Sequence, residues 1–394
     1  IYGLRNSTLT ADIIDIESTL SGEVIIPSSI NYDSKIYSVT IIGEEAFGNN
    51  RNITSITIPD SIDTLEDGAF RSCSNLETVI FADTSKITEI PHVAFYLCSS
   101  LQNVTIPEKV TTIGSQAFKG CSSLTSITIP SSVTSLVQNN FQDCSSLIEI
   151  NVDENNANYC DVDGVLYNKT QTEILKYPAK KTATTYDISE SVTKINSFAF
   201  QYCSSLTSIT IPSGVTEIGY GAFSGCSGLT SIVIPYSVTS IVNNAFSGCS
   251  GLTSIVIPSK VTEINPNVFQ NCSNLTSITI PSSVTYIGNY AFSGCSSLTN
   301  ITIPSSVTSI GSSAFSNCTN LKTVYCDSIN GYTSADSNSS SSSRLFDNAD
   351  TVYVLASIID GGATNFYLND TTKFNIPSTT TNVNGQDYYV YTRK

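Results

Sequence analysis

Residues 206–251 read LTSITIPSGVTEIGYGAFSGCSG and then LTSIVIPYSVTSIVNNAFSGCSG, two strings of 23 residues whose apolar letters fall at the same places. Leu206, Ile209, Ile211, Pro212, Val215, Ile218, Ala222, Phe223 and Cys226 return as Leu229, Ile232, Ile234, Pro235, Val238, Ile241, Ala245, Phe246 and Cys249. Outward from this pair, Leu252, Leu275 and Leu298 begin further copies, and Phe269, Phe292 and Phe315 mark their turns. Nine units have the full 23 residues, starting at Ile53, Leu101, Leu124, Ala183, Leu206, Leu229, Leu252, Leu275 and Leu298. A long period held over so many copies is the mark of a repeat solenoid, in which each coil buries its apolar face only against its neighbours.

Within a unit, L-T-S-I-T-I alternates apolar and hydroxyl residues, the period of a half-buried strand, and the Pro after it ends the strand. The next stretch, such as S-G-V-T-E-I-G at 213–219, supplies a shorter extended piece. The A-F-S-G-C segment is read as a short helical turn that carries Phe inward. The expected architecture is therefore α/β to mainly β, with one parallel strand per coil at roughly 4.8 Å spacing.

Departures from the period divide the chain. The unit at Leu76 is 25 residues long, and the unit at Leu147 has 36 and loses its A-F half. Residues 153–182 stand in its place, and the runs Val165–Tyr167 and Ile174–Tyr177 around a polar turn predict a projecting β-hairpin. Residues 1–46 are assigned to an N-terminal cap and 47–326 to the solenoid. A Ser-rich loop is expected over 327–349, where apolar content is too low to pack. Residues 350–394 are read as a C-terminal cap or the join to a further domain.

The 394 residues carry 18 basic and 33 acidic side chains, a net charge of −15, and only 13% are charged. No Lys/Arg stripe of the kind that neutralises phosphates is present, which argues against nucleic acid as partner. No apolar run reaches the 18 or so residues needed to cross a bilayer, and the first residues lack the regions of a signal peptide. Met is absent and the chain begins at Ile1, so a processed or trimmed chain is expected.

The repeat string, here LTNITIPSSVTSIGSSAFSNC at Leu298–Cys318, resembles the BspA-like, or Treponema pallidum type, branch of the leucine-rich repeats. The resemblance extends to V-D-G-V-L-Y at Val162–Tyr167, to Y-P-A at Tyr177–Ala179 and to the N-terminal stretch Ile25–Thr40. It implies a right-handed leucine-rich-repeat array, secreted or displayed on the surface of a host-associated bacterium or a mucosal protozoan. Members of the family are associated with adhesion to host matrix proteins, host cells or other microbes. The family supplies no catalytic residues.

Candidate chemistry is sparse. Ten of the twelve cysteines, from Cys73 to Cys318, share one position of the repeat, and are expected as a ladder of buried free thiols packing like Ala. A C-x-x-C pair and a histidine column are both missing, so no metal is expected. His92, the single histidine, sits at a surface-loop position. Asp153, Glu154, Asp161 and Asp163 are read as a turn-forming acidic cluster, since the full spacing of a calcium loop is absent. Ten N-x-S/T triplets arise from the Ser and Thr content alone.

The outward positions of the strands are what remain. They are mostly Ser and Thr, but Val233, Val256 and Ile80 break the pattern beside Thr210, Thr279 and Thr302. A modest apolar strip contacting a partner is expected there. A surface or secreted adhesion module, monomeric and without cofactor, that binds a protein or glycan on a host or microbial surface is the first reading. A carbohydrate-binding accessory region is the second, with Tyr159 and Tyr167 as its sugar platforms; a structural spacer is a third. An enzyme is not expected.

Overall fold

In a computed structural model of the chain, the described residues are 1–17, 19–137, 139–326, 351–355, 374–375, 380–383 and 386–393. They form two compact units, Ile1–Thr182 and Ala183–Lys394, each a β-solenoid of stacked coils.

In the second unit the strands Thr185–Asp187, Ser208–Thr210, Ser231–Val233, Ser254–Val256 and Ser277–Thr279 lie side by side in that order, all parallel. The register equals the repeat: Ile209 pairs with Ile232, and Ile255 with Ile278. The alternation explains the facing, because the central Ile of each strand is buried while its Ser and Thr or Val neighbours are exposed. A further parallel run joins Asn300–Ile303, Thr323–Cys326 and Thr351–Leu355, and Gln386–Arg393 pairs antiparallel with the last of these.

The shorter extended piece expected in the second half of each unit is a second short parallel strand, beside the one full strand per coil. Lys194–Ile195, Glu217–Ile218 and Ser240–Ile241 form one such ladder, and Glu263–Ile264, Tyr286–Ile287 and Ser309–Ile310 another.

The expected helical turns are not there: no helix occurs among the described residues. Two positions four apart in the turn have left-handed backbone, for example Asn244 at φ 61° and Gly248 at φ 73°, which a right-handed helix does not accommodate. The amides are satisfied in two alternating ways. Ala222, Ser224 and Cys226 donate to carbonyls three residues back, whereas Gly221, Phe223 and Gly225 donate to Asn243, Ala245 and Ser247 of the next coil at 2.7–3.0 Å. The turn is thus a third inter-coil ladder, and no backbone donor in it needs a helix.

Identical coils in register pile identical side chains. Phe200, Phe223, Phe246, Phe269, Phe292 and Phe315 form one buried file with ring centroids 5.1–5.8 Å apart and nearly parallel planes. The first unit repeats this file through Phe47, Phe70, Phe95, Phe118 and Phe141. Beside each ring runs the cysteine column: Cys249 Sγ donates to the Phe223 carbonyl at 3.1 Å, Cys272 to Phe246 at 3.2 Å and Cys295 to Phe269 at 3.2 Å. Burial pushes Cys73, Cys144, Cys272 and Cys318 up to about 12, and drives Cys98, Cys121, Cys249 and Cys295 well above their ordinary value, with neighbouring thiols adding to the rise in these last four.

The first unit starts with a mixed sheet in which Tyr2–Arg5, Thr10–Ile13, Lys35–Ile42 and Ser29–Tyr32 are neighbours. Gly22–Ile25 then begins a parallel sheet with Ile53–Ile58, Thr78–Phe81 and Asn103–Val104. At the other end of the unit, Tyr159–Val162, Val165–Asn168 and Glu173–Lys176 form a three-stranded antiparallel meander. The projecting hairpin is thereby corrected: Val165, Leu166, Tyr167, Ile174 and Tyr177 are all buried, so the segment packs inward in place of the missing A-F half. Asn156 fixes it there, donating from Nδ2 to the Pro130 and Val133 carbonyls and accepting at Oδ1 from the amides of Asn158 and Tyr159. The Ser-rich loop expected over 327–349 lies outside the described residues.

Candidate functional site

The residue after each buried Ile sets the character of the outward face of the second unit's sheet. Along one row stand Asp187, Thr210, Val233, Val256 and Thr279, with the registers Asp187↔Thr210, Thr210↔Val233 and Val256↔Thr279. The row behind it is Ser208, Ser231, Ser254 and Ser277. On this hydroxyl surface the two valines are 79% and 74% exposed, side by side on adjacent strands roughly 4.8 Å apart. Both β-branched chains suit a strand, but nothing in the unit covers them. Covering each against a partner is worth about 1.5–3 kcal/mol.

Three residues beyond Val233, past the Pro that ends the strand, Tyr236 is 65% exposed, and Lys260 Nζ lies 4.6 Å from its ring centroid. That contact holds a cation on the turn that follows the valine strands. Sequence reasoning passed over Tyr236, although the neighbouring coils carry Ser213, Ser259 and Ser282 at its position. A tyrosine in a column of serines was the available signal.

The other expected site residues are dispersed. Ile80 is 48% exposed but lies in the first unit, opposite Thr57 and one residue past the Val79↔Val104 pair, among polar neighbours. Thr302 is exposed on Asn300–Ile303, opposite Tyr325. Tyr167 is buried and presents no platform to a sugar, which corrects its assignment to a glycan site. Both faces of its strand are covered, since Val165, Leu166 and Tyr167 are all buried in succession. Tyr159 is half-buried, and its hydroxyl accepts a hydrogen bond from the Leu136 amide at 2.8 Å, which ties it to the fold.

The titratable candidates serve structure. His92 is exposed, with Nδ1 2.8 Å from the Ser115 carbonyl. Asp161 accepts from the amides of Val152 and Gly164, and Asp153 from that of Asn155, so these carboxylates brace turns. Among the described residues no group of three or more His, Cys, Asp or Glu is placed to hold a metal, and no helix is long and apolar enough to cross a membrane.

No curated protein matches the sequence, but solved structures and a family model do. A leucine-rich repeat protein from Eubacterium ventriosum is 32% identical, with a TM-score of 0.63, over 81% of this chain and 86% of its own. A leucine-rich cell surface protein from Faecalibacterium prausnitzii is 29% identical, with a TM-score of 0.58, over 83% of this chain and 93% of its own. The pneumococcal vaccine antigen PcpA, 23% identical over 88% of this chain and 87% of its own with a TM-score of 0.62, shares the fold. The model of the BspA type leucine-rich repeat region matches residues 28–148, 176–285 and 262–392. The stacked Phe files, the 23-residue register and these matches agree, and the chain belongs to the BspA-type leucine-rich repeat family.

Proposed function

We propose that this protein is a surface or secreted binding module that adheres, as a monomer, to a protein of a host matrix, host cell or other microbe. The observation that carries the reading is the valine pair: Val233 and Val256 are exposed together on adjacent strands, in a row where Thr210 and Thr279 flank them. Tyr236 and Lys260 extend that patch with an aromatic ring and a positive charge, residue types that supply binding energy at protein interfaces. An acidic group on the partner, near an apolar anchor, complements Lys260. Surface location is supported by the Faecalibacterium relative, which is a cell surface protein.

The test is surface plasmon resonance of the intact chain over collagen, laminin, fibronectin and whole bacterial cells, comparing wild type with the double variant V233T/V256T. Thr occupies the same row at Thr210 and Thr279, so the variant keeps the fold. Loss of two buried methyl groups to hydroxyls is expected to weaken binding by at least about tenfold. Equal binding by the double variant, or none by wild type to any surface, refutes the proposal.

A further inference from the structure

A second surface of the Ala183–Lys394 unit, on its turns and away from the valine row, gathers aromatic rings. Phe198, Tyr202 and Tyr220 stand on two consecutive turns, Asn196–Tyr202 and Gly219–Gly225. The Phe198 and Tyr220 rings meet edge to face at 5.2 Å and 64°, forming a corner. Tyr202 and Tyr220 are 44% and 40% exposed.

The backbone shows that these rings are placed against its own preference. Phe198 has φ 58° and Tyr202 φ 61°, a left-handed conformation that is uncommon for bulky side chains. The next three coils fill these two columns with Gly or Asn, which adopt it readily: Gly221, Asn244 and Asn267 in one, Gly225, Gly248 and Asn271 in the other, and Tyr290 and Ser313 take it further along the first column. The next coil also makes room. A Cβ on Gly221 would stand 2.8 Å from Phe198 Cε1, and one on Gly225 would stand 2.7 Å from Tyr202 Cε1. One edge of each ring is thus seated on bare backbone. Leu97 over Gly120 shows the same seating with an aliphatic chain, so closing the turn does not require an aromatic.

The chemistry of the patch selects a ligand class. Neither turn carries a charged residue, although the chain as a whole has a net charge of −15. Ser197, Ser224 and the Tyr hydroxyls supply donors and acceptors around the rings. Aromatic faces carry partial negative charge and attract the polarised C–H bonds of a pyranose face, while hydroxyls at the rim pair with its O–H groups. We infer that the Phe198–Tyr202–Tyr220 corner is a binding site for a neutral polysaccharide, gripped by stacking of a pyranose ring on Tyr202 and Tyr220. This site is independent of the valine pair, and either can fail without the other.

Native affinity electrophoresis suits an anionic chain, because neutral polysaccharides do not migrate. The gels contain mixed-linkage β-glucan, arabinoxylan, galactomannan or glucomannan, with polygalacturonate as the acidic comparison. Retardation of wild type is expected in at least one neutral gel. The variants Tyr202→Asn and Tyr220→Asn each install a residue the same column already uses, at Asn271 and Asn243, and are expected to weaken binding by at least tenfold. Leu97→Asn is expected to leave it unchanged. A second measurement needs no variant: in the wild-type chain, the retarding polysaccharide protects Tyr202 and Tyr220 from tetranitromethane nitration, read by peptide mass. The inference is overturned by retardation in no neutral gel, by retardation in polygalacturonate alone, by Asn variants that behave as wild type, or by nitration of both tyrosines at an undiminished rate.

Discussion

Alkaline pH should unfold each unit through its thiols, and the size of the effect is set by the column. In the Ala183–Lys394 unit Cys272 and Cys318 are pushed up to about 12 from the ordinary 9.0 by burial, with Cys249 and Cys295 also driven well above it. The folded state holds these protons while the unfolded chain releases them. Their contribution is therefore fully present below about pH 9 and is lost as pH rises toward 12, by about 1 kcal/mol per thiol per pH unit. At pH 10 the two thiols held near 12 remove roughly 2–3 kcal/mol together, a sizeable share of the stability of many domains. Tyr and Lys titrate in the same range, so the decisive comparison is a variant. Cys272→Ala loses the bond from Sγ to the Phe246 carbonyl, which still accepts from the Cys249 amide, and leaves a small void. It should cost about 1–2 kcal/mol at pH 7. Because the variant has one proton fewer to protect, that deficit should shrink by about 1 kcal/mol at pH 10. Urea unfolding followed by circular dichroism at pH 7, 8, 9 and 10, with reductant present, measures both. A deficit equal at pH 8 and pH 10 would refute the reasoning.

Other outcomes are equally direct. Phe223→Ala removes a ring stacked on both Phe200 and Phe246 and should cost about 3–5 kcal/mol in urea unfolding, whereas Tyr220→Asn on the surface should stay within about 0.5 kcal/mol of wild type. Asn156→Ala strips partners from two buried carbonyls and two amides and should cost about 3 kcal/mol or more, with fast hydrogen exchange at Asn158 and Tyr159 as its local signature. A thiol reagent applied to the native chain should label Cys160, the half-buried one, well ahead of the ten column cysteines, which should react only on unfolding. Simultaneous rapid labelling of the column would contradict its burial.

Part of the candidate surface was readable before the fold. Val233 and Val256 stand out in the sequence because strict alternation says which strand residues face outward, and the structure exposes both. Tyr167 was misread because an insertion has no repeat to assign its facing. Whether an aromatic there points in or out depends on the meander's pairing, Val162↔Val165 and Tyr167↔Ile174, which no local pattern specifies. The A-F turn was misread for a related reason: Phe and Ala spacing suits a helix, while the left-handed residues at Asn244 and Gly248 do not.

Periodicity alone was sufficient to establish the coil, its strand and its buried file, because a repeat can bury Leu, Ile and Phe only against its own copies. Tertiary structure decided how the turn amides are satisfied, since Phe223 donates to Ala245 only once the next coil is in place. It also decided which aromatics reach solvent. Tyr202 is held at the surface by the bare backbone of Gly225 one coil on, a contact between residues 23 apart that stacking creates and sequence order does not reveal.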